Sequence, residues 1–117
     1  MLIFLKLLAE AMGSLPATHP GCLVASFTYE NQQFNNDVKE IICDCMIGWR
    51  KLFIEKLSRI NENYPMRIET DILELADMLT SVTEGGIIVS KVFNDPDRLV
   101  QQILQYRNHI RLLYSDI

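Results

Sequence analysis

Apolar residues recur along this chain at intervals of three and four, and short polar or proline-bearing segments punctuate them. Leu2, Ile3, Leu5, Leu8, Ala9 and Met12 lie on overlapping helical stripes with no turn residue among them. That pattern predicts a helix over 2–12, ended by Gly13-Ser14-Leu15-Pro16. A connector follows and closes with His19-Pro20-Gly21. Residues 22–34 are ambiguous by local propensity: Leu23-Val24-Ala25-Ser26-Phe27-Thr28-Tyr29 is β-branched and aromatic and favours a strand. An isolated strand in a helical chain has nothing to pair with, so a helix is expected here, stopped around 31–36.

Asp37 and Glu40 have the spacing of an N-cap and its capping-box partner. Behind them Val38, Ile41, Ile42, Cys45, Trp49, Leu52, Phe53, Leu57 and Ile60 form a long helical stripe. Arg50, Lys51, Lys56 and Arg59 occupy the other side, and Asn61, Asn63 and Pro65 stop the helix. The next helix starts at Glu69 or Thr70. Its apolar positions, from Ile72 to Phe93, cover nearly the whole circumference, and the acids Asp71, Glu74 and Asp77 keep one side wet only before Val82. A helix apolar all round is buried on more than one side. Gly85-Gly86 falls inside it, where a glycine pair either breaks the helix or lets another backbone come close. Asn94-Asp95-Pro96 is a restart, with Asp95 as N-cap and Pro96 at the first helical position. A last helix carries Leu99, Val100, Ile103, Leu104, Tyr106, Ile110, Leu113 and Tyr114. The chain therefore reads as all-α, with five helices and one domain over 1–117.

Composition narrows the function. The 117 residues are 49% hydrophobic and 22% charged, enough to bury a core. The net charge is −4. Residues 1–60 carry six basic and six acidic side chains, and residues 61–117 five and nine. That balance offers no footprint for a nucleic-acid backbone or an anionic membrane. No stretch reaches the roughly 18 apolar residues that a membrane span needs. The apolar start has Lys6 and Glu10 inside it, no basic segment ahead and no cleavage site behind, so it reads as a core helix of a cytoplasmic protein. Cys22, Cys43 and Cys45 read as buried or half-buried thiols in a reducing compartment. Cys43 and Cys45, two apart on a helix, face different ways and cannot share a metal or a disulfide there.

Catalytic grammar is sparse. No phosphate loop, H-E-x-x-H or C-x-x-C occurs, and His19 and His109 are the only histidines. Glu69, Asp71, Glu74 and Asp77 read as acids favoured at a helix N-terminus. Glu84, in an apolar half-helix, is either an exposed charge or a buried acid in need of a partner. No metal, cofactor or enzymatic activity is expected. Phe27, Tyr29, Met46, Trp49, Phe53 and Met78 are large and are candidates for the lining of a small hydrophobic ligand's pocket, plain core being the alternative. The last two helices carry more apolar surface than a monomer of this size needs. Two such helices from each of two copies would make a four-helix bundle across a two-fold axis. Leu79, Val82, Thr83, Gly86, Val89, Ile103 and Ile110 are the candidate contacts.

Two segments carry a family resemblance. His19-Pro20-Gly21-Cys22-Leu23-Val24-Ala25 resembles the opening of a helix in the C-terminal domains of TetR-type transcriptional regulators. Thr83-Glu84-Gly85-Gly86-Ile87-Ile88-Val89-Ser90-Lys91, with Asn94-Asp95-Pro96 and Leu99, resembles that family's run between its last two helices. The order and spacing of the helices fit along nearly the whole chain. The resemblance implies an effector domain that binds a small, often hydrophobic ligand among its earlier helices. It also implies homodimerisation through the last two helices, and a helix that continues through Gly85-Gly86. DNA would be read by an N-terminal helix-turn-helix head, for which no basic segment precedes the first helix. A structural helical adaptor without a ligand is the competing expectation.

Overall fold

The computed structural model describes residues 1–14 and 36–114. Among these, four helices and no strand are present: α1 Leu2–Gly13, α2 Asn36–Asn63, α3 Ile72–Phe93 and α4 Asp97–Leu113. The all-α expectation holds for the described residues. The helix expected over 22–34, which would bring the count to five, lies outside them, as do Phe27, Tyr29, His19 and Cys22.

Helix α4 is the centre of the packing. Leu99, Ile103, Tyr106, Ile110 and Leu113 alternate in steps of four and three and are all buried. This seam meets α3 through Leu75, Leu79 and Ile87, and the small Ala76 joins the same core. Leu5 and Ala9 of α1 close the core against α4 from another side. Helix α2 packs on α3 and contributes one fully buried side chain, Leu57. An antiparallel backbone contact joins the α2–α3 connection to the end of α4, where Arg67 N–H donates to the Leu113 carbonyl at 2.7 Å.

The helix ends follow local rules, with small shifts from the expected residues. Asp71, not Thr70 or Glu69, caps α3: its carboxylate accepts from the Leu73 N–H at 2.8 Å. Asp37 lies inside the first turn of α2 and not ahead of it. Asp95 accepts from the Asp97 N–H at 3.1 Å, so its carboxylate caps α4 although Pro96 occupies the position before the first helical residue. Asn94 ends α3 in the left-handed conformation at φ 50°, which asparagine tolerates better than most residues.

The long α2 stripe is only partly core. Phe53, Ile54 and Ile60 are half-buried against the core, whereas Ile41 is 62% exposed and Leu52 47%. Helix α2 has 28 residues against 22 in α3, so at about 1.5 Å per residue it is roughly 9 Å longer than the helix it packs on. Cys43 and Cys45 are exposed, contrary to the buried-thiol reading, and both are free.

Candidate functional site

The α3–α4 hairpin shapes the surface of interest. Helix α3 runs unbroken through Gly85 and Gly86. A Cβ placed on Gly86 would stand 3.2 Å from the Leu99 Cα and 3.0 Å from its Cδ1, while one on Gly85 would meet nothing within 4 Å. Gly86 therefore marks a close approach of α4, and this crossing is within the chain. One turn on, the buried Ser90 hydroxyl accepts the Leu99 N–H at 2.9 Å. This satisfies a donor in the first turn of α4 that has no helical carbonyl to bond. Further along, the buried Tyr106 hydroxyl donates to the Leu75 carbonyl at 2.8 Å. Three contacts thus fix one register between α3 and α4.

This packing leaves apolar residues of α3 facing out, among them Ile88 and Phe93 and a regular stripe beside them. Met78, Val82, Gly85, Val89 and Val92 follow one another in steps of four and three, the repeat of a helix–helix seam. Met78 is 37% exposed, Val89 36% and Val92 72%, with Val82 and Gly85 half-buried. An open recess of about 330 Å³ lies along it, bounded by Ser81, Val82, Gly85, Gly86, Val89 and Gln102. The floor is low because two glycines and a serine supply little side-chain bulk. Gln102 sets a polar edge on the α4 side.

The structure revises the candidate dimer contacts. Leu79, Ile103 and Ile110 are buried in the chain's own core, which takes their side chains out of reach of a second copy, while Gly86 is buried against α4 and only borders the recess. They pack α3 on α4 within one chain. Thr83 is half-buried, donates to the Leu79 carbonyl at 2.9 Å and stands off the exposed seam. Val89 stays on the outward stripe, and Val82 is half-buried between that stripe and the core.

The pocket candidates separate. Met46, Trp49 and Phe53 share a stripe of α2, but Met46 and Trp49 are 39% and 38% exposed. Phe53 turns to Phe4 of α1, ring centroids 6.4 Å apart and tilted by 49°. Met46 instead lines a recess of about 150 Å³ with Arg50, Asp77, Thr80 and Ser81. There Arg50 donates two hydrogen bonds to the Asp77 carboxylate, at 2.8 and 2.9 Å. The bonded Asp77 raises the Arg50 pKa above its ordinary value. This forked pair ties α2 to α3 and occupies the polar groups of the recess.

No protein-family model, curated protein or solved structure matches this chain.

The chemistry has to come from the residues themselves. Among the described residues no group of three His, Cys, Asp or Glu side chains is placed to hold a metal ion. No described helix is long and apolar enough to cross a membrane. Glu84 is half-buried. The sequence singles out the Gly85-Gly86 pair without saying which of the two meets α4, and it gives no sign that Gln102 borders the recess. It also carries no signal for the Arg50–Asp77 pair or for Arg107. What the α3–α4 surface can do is accept another helix: it is apolar, shallow and edged by polar groups.

Proposed function

We propose that this chain is the dimerising regulatory domain of a TetR-type transcriptional regulator. Two copies would pair α3 and α4 into a four-helix bundle, the α3 stripes facing each other. An effector bound by the helices would favour one of two bundle arrangements and so change the geometry of DNA-reading heads outside these residues. Coupling of that kind needs only a difference in effector affinity between the two arrangements. The observation that carries the reading is the seam Met78-Val82-Gly85-Val89-Val92, whose Met78, Val89 and Val92 stay exposed and whose Val82 and Gly85 stay half-exposed after α3 has packed on α4. The glycine-floored recess beside it lets a second helix approach closely.

Sedimentation equilibrium of the wild type and Val89→Arg tests this. A wild-type dimer is expected. The arginine, an unpaired charge driven into the seam, should raise the dimer Kd at least about a hundredfold, or 2.7 kcal/mol. Circular dichroism of the diluted variant should be unchanged. A wild type that stays monomeric at about 100 μM, or a variant that dimerises as well as wild type, removes the proposal.

A second reading, a ligand-free helical adaptor, is favoured by the exposed Ile41, Met46, Ile47, Trp49 and Leu52 along α2. Such a surface suits docking of another protein. Under that reading a panel of small apolar compounds leaves the melting temperature unchanged. A regulator's effector at 100 times its Kd adds about 2.7 kcal/mol.

A further inference from the structure

A trough of about 290 Å³ runs between α1 and α4, away from the α3 seam. Ala9, Val100 and Leu104 make its apolar walls, and Lys6, Glu10 and Arg107 bring its charges. Arg107 is half-buried, its Nε shut off from solvent without a hydrogen-bond acceptor. Glu10 lines the same trough, yet no ion pair joins it to Arg107 among the described residues. A buried guanidinium donor without an acceptor is costly and rare in folded chains. The Nε itself is closed off, but Arg107 also lines the recess, where Lys6 and Glu10 make the charges two cations and one anion on a chain whose net charge is −4.

We infer that this trough binds a small amphiphilic carboxylate, with Arg107 anchoring the carboxylate and Ala9, Val100 and Leu104 receiving the tail. A guanidinium offers a fork of N–H donors that matches a carboxylate, and Lys6 adds a second positive charge. The size argues for a small molecule and against a protein segment. At about 290 Å³ the trough lies near the lower end of ligand sites, and octanoate serves as a probe of matching size. Binding itself is independent of dimerisation; only its role as the effector site rests on the regulatory reading.

Calorimetric titration with octanoate, octanol and octyltrimethylammonium tests the inference on wild type, Arg107→Gln, Arg107→Lys and Gly13→Leu. Gly13 also lines the trough, and a Cβ there meets Val100 only at an ordinary 3.4 Å. The larger side chain therefore fills space while the charges remain. Octanoate should bind wild type saturably, one per chain, and at least tenfold more tightly than the alcohol or the cation. Arg107→Gln and Gly13→Leu should each lose at least tenfold, and Arg107→Lys less than Arg107→Gln. Circular dichroism of each variant confirms folding, and sedimentation of the same samples reports the dimer separately. No saturation by about 1 mM, equal binding of octanol, or equal binding by a folded Arg107→Gln would overturn the site while leaving the dimer intact.

Discussion

Gly85 and Gly86 are neighbours in one helix, yet the same substitution should move stability in opposite directions. Alanine is favoured over glycine inside a helix by about 0.8–1.0 kcal/mol. At Gly85 a Cβ meets nothing within 4 Å, so Gly85→Ala should realise that gain in full. At Gly86 it would lie 3.2 Å from the Leu99 Cα and 3.0 Å from its Cδ1. The Cδ1 can rotate away, but the Cα moves only with α4. Ser90 and Tyr106 hold α4 against α3 through the Leu99 N–H and the Leu75 carbonyl. Overpacking of a fixed crossing costs about 1–3 kcal/mol, which offsets the propensity gain and leaves Gly86→Ala between neutral and about 2 kcal/mol destabilised. The two variants should therefore differ by about 1–3 kcal/mol. Urea denaturation followed at 222 nm, at a protein concentration where the chain is monomeric, measures this directly. With a slope near 2 kcal/mol/M the midpoints should differ by about 0.5–1.5 M. Equal stabilisation by both alanines would show that the crossing at Leu99 has slack, and the case for a fixed α3–α4 register would fail with it.

Two further variants read the same crossing. Ser90→Ala strands the Leu99 N–H inside the core and should cost about 1–3 kcal/mol in the same assay. A loss below about 0.5 kcal/mol would mean that another acceptor serves that donor. The two buried tyrosines should behave differently. Tyr106→Phe loses a hydrogen bond and leaves the Leu75 carbonyl short of a partner. Tyr114→Phe removes a buried hydroxyl with no partner and should be neutral or stabilising. Burial pushes both phenols above their ordinary pKa, Tyr114 adding to the shift of Tyr106. The folded chain therefore disfavours tyrosinate. That contribution is complete below about pH 10, the unfolded value, and is lost as the pH rises through the folded values. Alkaline unfolding of wild type should begin in that window, and Tyr106→Phe should flatten it; an unchanged pH profile would sink the assignment.

The sequence by itself determined the helices. Spacing of three and four marks α2, α3 and α4, and Asp95 and Asn94 write the turn between the last two in side chains that act on their own backbone. Such signals are local, so one chain suffices to read them. Capping was off by a residue or two because Glu69, Thr70 and Asp71 all suit an N-terminus, and only the backbone path selects among them. Only tertiary structure decided which face of α3 belongs to the core. Leu79, Gly86, Ile103 and Ile110 are apolar or small like Val89, and nothing in their spacing says that these four meet within the chain while Val89 faces out. Met46 and Trp49 are left exposed for the same reason, since an apolar stripe on a 28-residue helix extends beyond what its neighbours cover. Arg107 carried no signal at all: an arginine on a helix becomes chemically distinctive only when folding buries its Nε without an acceptor. Periodicity records how a residue is placed on its own helix, but burial is a property of what lies across from it, and only the packed chain supplies that.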